Sequence, residues 1–348
     1  MHHLSGIREW SPFKIDALGI ITLLGASSLR KATGRLVQSP YAEYLPHLAS
    51  HIYADNSIAE TIPGFVLYNI TDGVKATDLS SWFTCWLSCQ DLCWQETTLE
   101  ITEQRERTEP RVSWYLGVAS AGIINTALIV LPILLGDWYG LASAFGVVLT
   151  IVTRTCVLYG CKRNLDRHVV RAGENSTDAV KLFVTLPSGK AVSVHTTRVI
   201  TVECLLTEAQ PENRQVHQAV RAVAWAGFAL HAVALGMASL CMQLFLVAAL
   251  LLPTVTVVQQ YGCDEACVGR YLRLRQINDM EINTRSKAYV KLDLSSLEED
   301  AMVGWNLFPM KTNHDWYKRY RDLQTSQVST EAQKIQPQWH KEEQRCRA

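Results

Sequence analysis

Apolar positions are not spread evenly along this chain. From Val112 to Gly136 there are 25 residues without a charge, VSWYLGVASAGIINTALIVLPILLG, and after Asp137 the run resumes as WYGLASAFGVVLTIVT up to Arg154. A second block, Ala222 to Cys263, has 42 residues whose only titratable side chains are His231, Tyr261 and two cysteines. About 20 helical residues, rising roughly 1.5 Å each, cross a hydrocarbon core of roughly 30 Å. One helix of 42 residues would reach about 63 Å. The second block is therefore expected to be two helices joined by a tight turn near Gly236–Ser239. The pattern predicts a mainly α polytopic membrane protein with four transmembrane helices in two hairpins. A small cytosolic β-hairpin unit is expected between them, with helical cytosolic regions at both ends of the chain.

The flanks set an orientation. Arg105, Arg107 and Arg111 precede the first span, and Lys162, Arg163, Arg167 and Arg171 follow the second. Arg214 and Arg221 precede the third, and Arg270, Arg273 and Arg275 follow the fourth, while both hairpin tips carry almost nothing basic. Positive-inside logic places every flank in the cytosol. The sequons Asn69-Ile-Thr71 and Asn175-Ser-Thr177 are then expected to stay unmodified. Upstream, Ala17–Leu29 is apolar but short for a span, and membrane insertion, cleavage as a signal peptide, or a surface helix all stay open.

Six segments follow: an N-terminal cytosolic or interfacial helical region over 1–110, hairpin 1 over 111–161, a cytosolic loop with a small β-unit over 162–220, hairpin 2 over 221–263, a cytosolic helical region over 264–324, and a disordered tail over 325–348. In the first, Asp78 is positioned to cap a helix over about 79–94. Trp82, Cys85, Trp86, Cys89 and Cys93 share one face of it, which suits packing better than a thiol site. In the loop, KLFVTL and KAVSVH flank the turn Pro187-Ser188-Gly189, and RVITVECLL (Arg198–Leu206) reads as a third strand. Ser295 and Ser296 stand three residues before Glu298 and Glu299, a capping-box pattern.

Composition narrows the function. The 33 basic and 33 acidic side chains cancel, which leaves no surplus for binding nucleic acid by charge. No phosphate-binding glycine loop, dinucleotide fingerprint, zinc-protease motif, nucleophile elbow or aspartate-rich diphosphate motif occurs. No cofactor and no metal is expected. Glu43, His47 and His51 are spaced four apart, but read as a solvated face. Cys156, Cys161, Cys263 and Cys267 flank the spans as candidate palmitoylation sites.

Polar groups at bilayer depth are what remains. His231 and Asn125 could meet near mid-membrane, Asp137 sits at the tip of hairpin 1, and Arg154 can snorkel to its end of the helix. These groups serve either as helix-to-helix hydrogen bonds and anchors or as a pocket for a lipophilic substrate. In the second case Asp137 is the acid, His231 and Asn125 join it, and Trp114, Trp138 and Tyr139 form the wall.

The layout of two hairpins, with TLPSGKAVSVHTTRVI inserted between them and a tail running from SKAYVKLDLSSLEEDAMVGWNLFP to NHDWYKRY, resembles uncharacterised multi-pass membrane proteins of filamentous fungi. Several of these lie beside secondary-metabolite genes. The resemblance covers roughly 110–322 and implies a role in making a lipophilic, terpenoid-type metabolite. The chain would then be a membrane cyclase-type enzyme, or a non-catalytic scaffold or accessory protein for membrane-bound biosynthetic enzymes. The partners implied are membrane lipid and such enzymes, in an endoplasmic reticulum-type membrane. A transporter reading finds little in four spans without an internal repeat.

Overall fold

A computed structural model describes residues 25–90, 92, 96–104, 112–175, 178–277 and 285–326. The elements begin with α1 (Ala26–Gly34), α2 (Pro40–Tyr44), α3 (His51–Ala54), β1 (Val66–Asn69), β2 (Val74–Ala76), α4 (Ser81–Cys89) and β3 (Glu96–Glu103). There follow α5 (Val112–Leu135), α6 (Trp138–Asn175), β4 (Ala179–Thr185), β5 (Ala191–Thr197), α7 (Arg198–Ile200), α8 (Arg214–Met237) and α9 (Leu240–Val258). The chain continues through β6 (Cys267–Val268), β7 (Leu272–Ile277), α10 (Arg285–Lys291), α11 (Ser296–Gly304) and a last helix, α12, over 314–326.

The charge-free blocks become α5, α6, α8 and α9, four helices long and apolar enough to cross a membrane. The turn inside the second block falls at Ala238 and Ser239, where the expectation put it. Tyr115, Leu116, Ile123, Ile133, Phe145, Val152, Val233 and Leu252 are each more than half exposed on these helices. So continuous an apolar belt has no stable place in water, and lipid tails cover it in a bilayer. Helices and belt together mark an integral membrane protein.

α6 is the axis of the molecule. Its 38 residues reach about 57 Å, nearly twice what a bilayer core needs. Beyond the span, Val157, Leu158, Cys161, Leu165, Val169 and Ala172 form one apolar stripe. That stripe is the centre of a polar head, so no boundary falls at residue 161.

The head is built on one seven-stranded sheet in the order β2-β1-β4-β5-β3-β7-β6. β3 and β5 run parallel, and the other pairs are antiparallel. Period-2 alternation gives the sheet two faces. Leu67, Leu99, Ile101, Val180, Leu182, Val184, Val192, Val194 and Leu274 pack towards α6, α4 and α1. Tyr68, Phe183 and Ala191 point the other way, into an aromatic cap with Tyr289, Phe308 and Tyr320.

Several expectations are corrected. The β-unit is not confined to 162–220, because β1–β3 come from the N-terminal region and β6–β7 from the C-terminal one. The β4–β5 pair alone has two edges, and the neighbouring strands cover both. Arg198–Leu206 is not a strand: α7 leads into a π-helical turn, Thr201–Leu206, with Thr197 capping α7 by accepting from the Ile200 N–H. The helix expected over 79–94 runs only from Ser81 to Cys89, and Ser80 rather than Asp78 is its N-cap residue. The turn at Gly189 (φ 79°) and the reciprocal Ser295–Glu298 capping box form as read. Most of Ala17–Leu29, Cys93, the end of the second sequon and residues 327–348 lie outside the described residues.

Candidate functional site

The tips of the two hairpins meet at Asp137. This carboxylate is buried, and its Oδ1 accepts from the Gly140 N–H at 2.9 Å, closing the first turn of α6. Its Oδ2 accepts from the Ser239 N–H at 2.8 Å, across in the other hairpin. Trp138 is 77% exposed and Tyr139 about half exposed, so neither walls a pocket with Asp137.

Nearly two turns deeper the hairpins are joined again. Ser143 Oγ lies 2.8 Å from His231 Nδ1, linking α6 to α8. Beside this pair Gly146 faces Gly227 so closely that a Cβ at Gly146 would stand 2.7 Å from the Gly227 carbonyl oxygen. Small residues of this kind let membrane helices approach backbone to backbone. His231 and Asn125, expected to meet, instead bond different elements.

Asn125 binds a segment that sequence reasoning left in solution. Residues 36–56 fold back into the bundle between α5, α6, α8 and α9. Pro40 enters against Gly117, where an added Cβ would lie 2.5 Å from the proline ring. Asn125 Nδ2 then donates to the Tyr44 carbonyl at 3.0 Å. Asn125 lies roughly 15 Å from the tip end of α5 and roughly 20 Å from its start, so the segment reaches mid-span. Arg154 Nη2 donates to the carbonyls of Glu43, at 3.0 Å, and of Leu45. Thr155 Oγ1 donates to the Glu43 carbonyl as well. The Leu48 N–H donates to Thr254 Oγ1 at 2.9 Å, and the Leu48 side chain packs with Leu128, Ile151 and Leu250. Arg221 Nε holds the exit by donating to the Ala54 carbonyl at 2.8 Å. Irregular backbone survives at membrane depth only where protein satisfies its polar groups, and here side chains of all four spans do so.

This geometry revises three readings. Arg154 does not snorkel; it is 2% exposed, with its guanidinium 5.8 Å from the Tyr53 ring centre. Glu43, His47 and His51 share no helix face: α2 ends at Tyr44, His47 is buried in the turn after it, and His51 opens α3 and packs on Phe228. Among the described residues no group of three His, Cys, Asp or Glu stands together as metal ligands. Trp114 is half-buried and meets Tyr44 edge-on at 6.5 Å, so it flanks the re-entrant segment and not the tip. The signal was present: between Gln38 and Asp55, Glu43 is the only acid or base besides the histidines, and Pro40 and Pro46 keep one helix from forming.

Where the segment enters, a small cleft opens between α1, α2, α6 and α9. Thr33, Arg35, Ser39, Glu43 and Lys162 line it on the polar side, and Leu158 and Val257 on the apolar side. Lys162 Nζ pairs with the Glu43 carboxylate and donates to the Val37 carbonyl. Arg35 Nη1 donates to Gln260 Oε1 at 2.9 Å. Among the nominated cysteines, Cys156 is exposed on α6, Cys263 and Cys267 are half-buried, and Cys161 is enclosed in the head core, where an acyl chain has no room. In the head, burial pushes the Cys85 thiol up to about 12, so that thiol is inert. Glu208 receives the Ser81 N–H and Oγ–H at the start of α4, and burial raises its pKa.

No family model, curated protein or solved structure matches this chain.

Proposed function

We propose that this chain is a non-catalytic membrane scaffold that serves membrane-bound enzymes making a lipophilic, terpenoid-type metabolite. The carrying observation is the bonding of Asp137: both carboxylate oxygens accept backbone N–H groups, one from each hairpin. A carboxyl group held this way ties the two hairpins together through its acceptors, which supports a structural role. His231 and Asn125 likewise bond protein elements. The outer surface of the head is what remains for docking partners. The basic flanks of the spans favour the cytosolic side for the head, and we take the membrane to be of the endoplasmic reticulum type.

The test uses cells lacking the gene, complemented with the wild-type or an Asp137→Asn copy. Asparagine accepts one of the two N–H groups and presents its own donors to the other. A scaffold predicts less folded protein and an unchanged amount of product per folded molecule. Abolished product at a normal amount of folded protein would overturn the proposal in favour of a cyclase-type enzyme. That second reading draws support from the cleft beside α2, where the Glu43–Lys162 pair adjoins Leu158 and Val257. A polar end and an apolar wall suit a lipophilic substrate with one polar group.

A further inference from the structure

We infer that the uncovered strip of the sheet beside α10 docks an acidic, extended segment of a partner protein. This rests on the scaffold reading and names the chemistry of what is held. The aromatic cap does not reach across the whole outer face. Tyr68 on β1, Phe183 on β4 and Ala191 on β5 are buried beneath it. On β3 and β7 the residues of the same face emerge: Thr102, Arg273, Arg275 and Ile277 are all exposed. α10 lies along β5 as a wall beside this strip. Its first residue, Arg285, donates to the Gly189 carbonyl ahead of β5, and its last, Lys291, acts on His195 near the far end of that strand.

Strand register makes the strip basic. Lys181, His195, Glu100 and Arg275 form one row across β4, β5, β3 and β7. Arg273 stands opposite Thr102, with Cys267 on its other side. Glu298 answers Lys181 at 3.7 Å. Glu100, the one acid of the row, is shared between His195 and Arg275. Neither Arg273 nor Arg275 has an ion pair or a side-chain hydrogen bond among the described residues. Alternate residues of a strand stand about 7 Å apart on one face. Carboxylates two positions apart in an extended chain have the same spacing. Each guanidinium takes a carboxylate through two parallel N–H bonds, which fixes orientation as well as charge. A sheet of lipid phosphates would also press on Glu100. A segment with small uncharged residues between its acids avoids that contact, and Ile277 gives it an apolar end.

Fluorescence anisotropy with the full chain in phosphatidylcholine nanodiscs tests it. The probe is a fluorescein-labelled peptide of alternating aspartate and serine. The expected result is binding that weakens as salt rises, with none for an asparagine–serine peptide. Arg273→Gln with Arg275→Gln should weaken binding about 5- to 30-fold, the loss of two exposed ion pairs. Lys318→Gln with Arg319→Gln, exposed on α12, should leave it unchanged. Arg273→Glu with Arg275→Glu should instead take a lysine–serine peptide. No binding of the aspartate peptide, or an equal loss in the α12 variant, overturns the inference. So does binding to phosphatidylserine vesicles that needs both arginines while the peptide is ignored. Each of these failures leaves the scaffold reading standing, since product per folded molecule in Asp137→Asn decides that one.

Discussion

Thr254→Val isolates the hold of the bundle on its re-entrant segment. The two side chains have nearly the same shape, and the substitution removes only a hydroxyl. In the wild type Oγ1 accepts the Leu48 N–H at 2.9 Å and donates to the Leu250 carbonyl at 2.7 Å. The Leu250 carbonyl keeps its helical bond in the variant, so its loss is small. The Leu48 N–H keeps nothing, because Thr254 Oγ1 is its one acceptor among the described residues and the Leu48 side chain is packed with Leu128, Ile151 and Leu250. Leaving a buried donor unpaired costs about 1–3 kcal/mol. If the segment opens locally, the Leu48 amide should exchange about 5- to 150-fold faster, while amides of the head sheet stay unchanged. Hydrogen exchange with mass spectrometry in nanodiscs, on peptides covering residues 45–52, reads this directly. Thr256→Val is the control, since Thr256 Oγ1 bonds only its own helix at the Pro253 carbonyl. Equal exchange at Leu48 in both variants would refute the re-entrant placement.

Other outcomes follow from the same contacts. Gly146→Ala forces a methyl against the Gly227 carbonyl and the His231 N–H; it should cost about 1–3 kcal/mol and lower the melting temperature in detergent. Gly122→Ala, with nothing within 4 Å of its added methyl, should leave that temperature unchanged or raise it slightly. Phe308→Ala opens the aromatic cap where Tyr289, Trp316 and Tyr320 lie at 4.9, 5.0 and 5.3 Å; a loss of about 3–5 kcal/mol should appear as faster proteolysis after α11. His195 on β5 has its pKa lowered from 6.5 by burial, then by Lys291 and Lys181, against the pull of Glu100. The unfolded chain therefore binds that proton more readily, and head stability should drop as pH falls below about 6.5. His195→Gln should flatten that slope in unfolding curves taken between about pH 5 and 7.

The spans and their turn were legible because charge-free runs of fixed length are a local signal. The capping box and the Gly189 turn were legible for the same reason. The sheet was not, although β7 alternates cleanly, with Leu272 and Leu274 buried and Arg273 and Arg275 exposed. Thr98 to Thr102 alternates as well, yet β3 pairs with β5 and β7, which lie about a hundred and about 170 residues further on. Period alone cannot name such a partner. The re-entrant segment carried a signal in its near lack of charge, but Pro40, Pro46, Glu43 and two histidines also suit a solvated loop, and that reading prevailed. The bonds that bury it come from Asn125, Arg154, Thr155 and Thr254, on helices distant in sequence. Asn125, Arg154 and His231 lie on spanning helices and Asp137 lies between the first two. Their bonding partners depended on helix pairing, which a single sequence does not specify.

The unbroken course of α6 makes the membrane a mechanical input to the head. About 18 of its residues continue past the hydrocarbon core, an arm of roughly 27 Å. Spanning helices adjust to bilayer thickness by tilting. A change in tilt of about 10° would swing the far end of that arm by roughly 5 Å. Because the arm is the centre of the head core, the sheet must move with it as one body. Lipid composition could thereby set where the sheet stands over the membrane surface, with no ligand and no hinge.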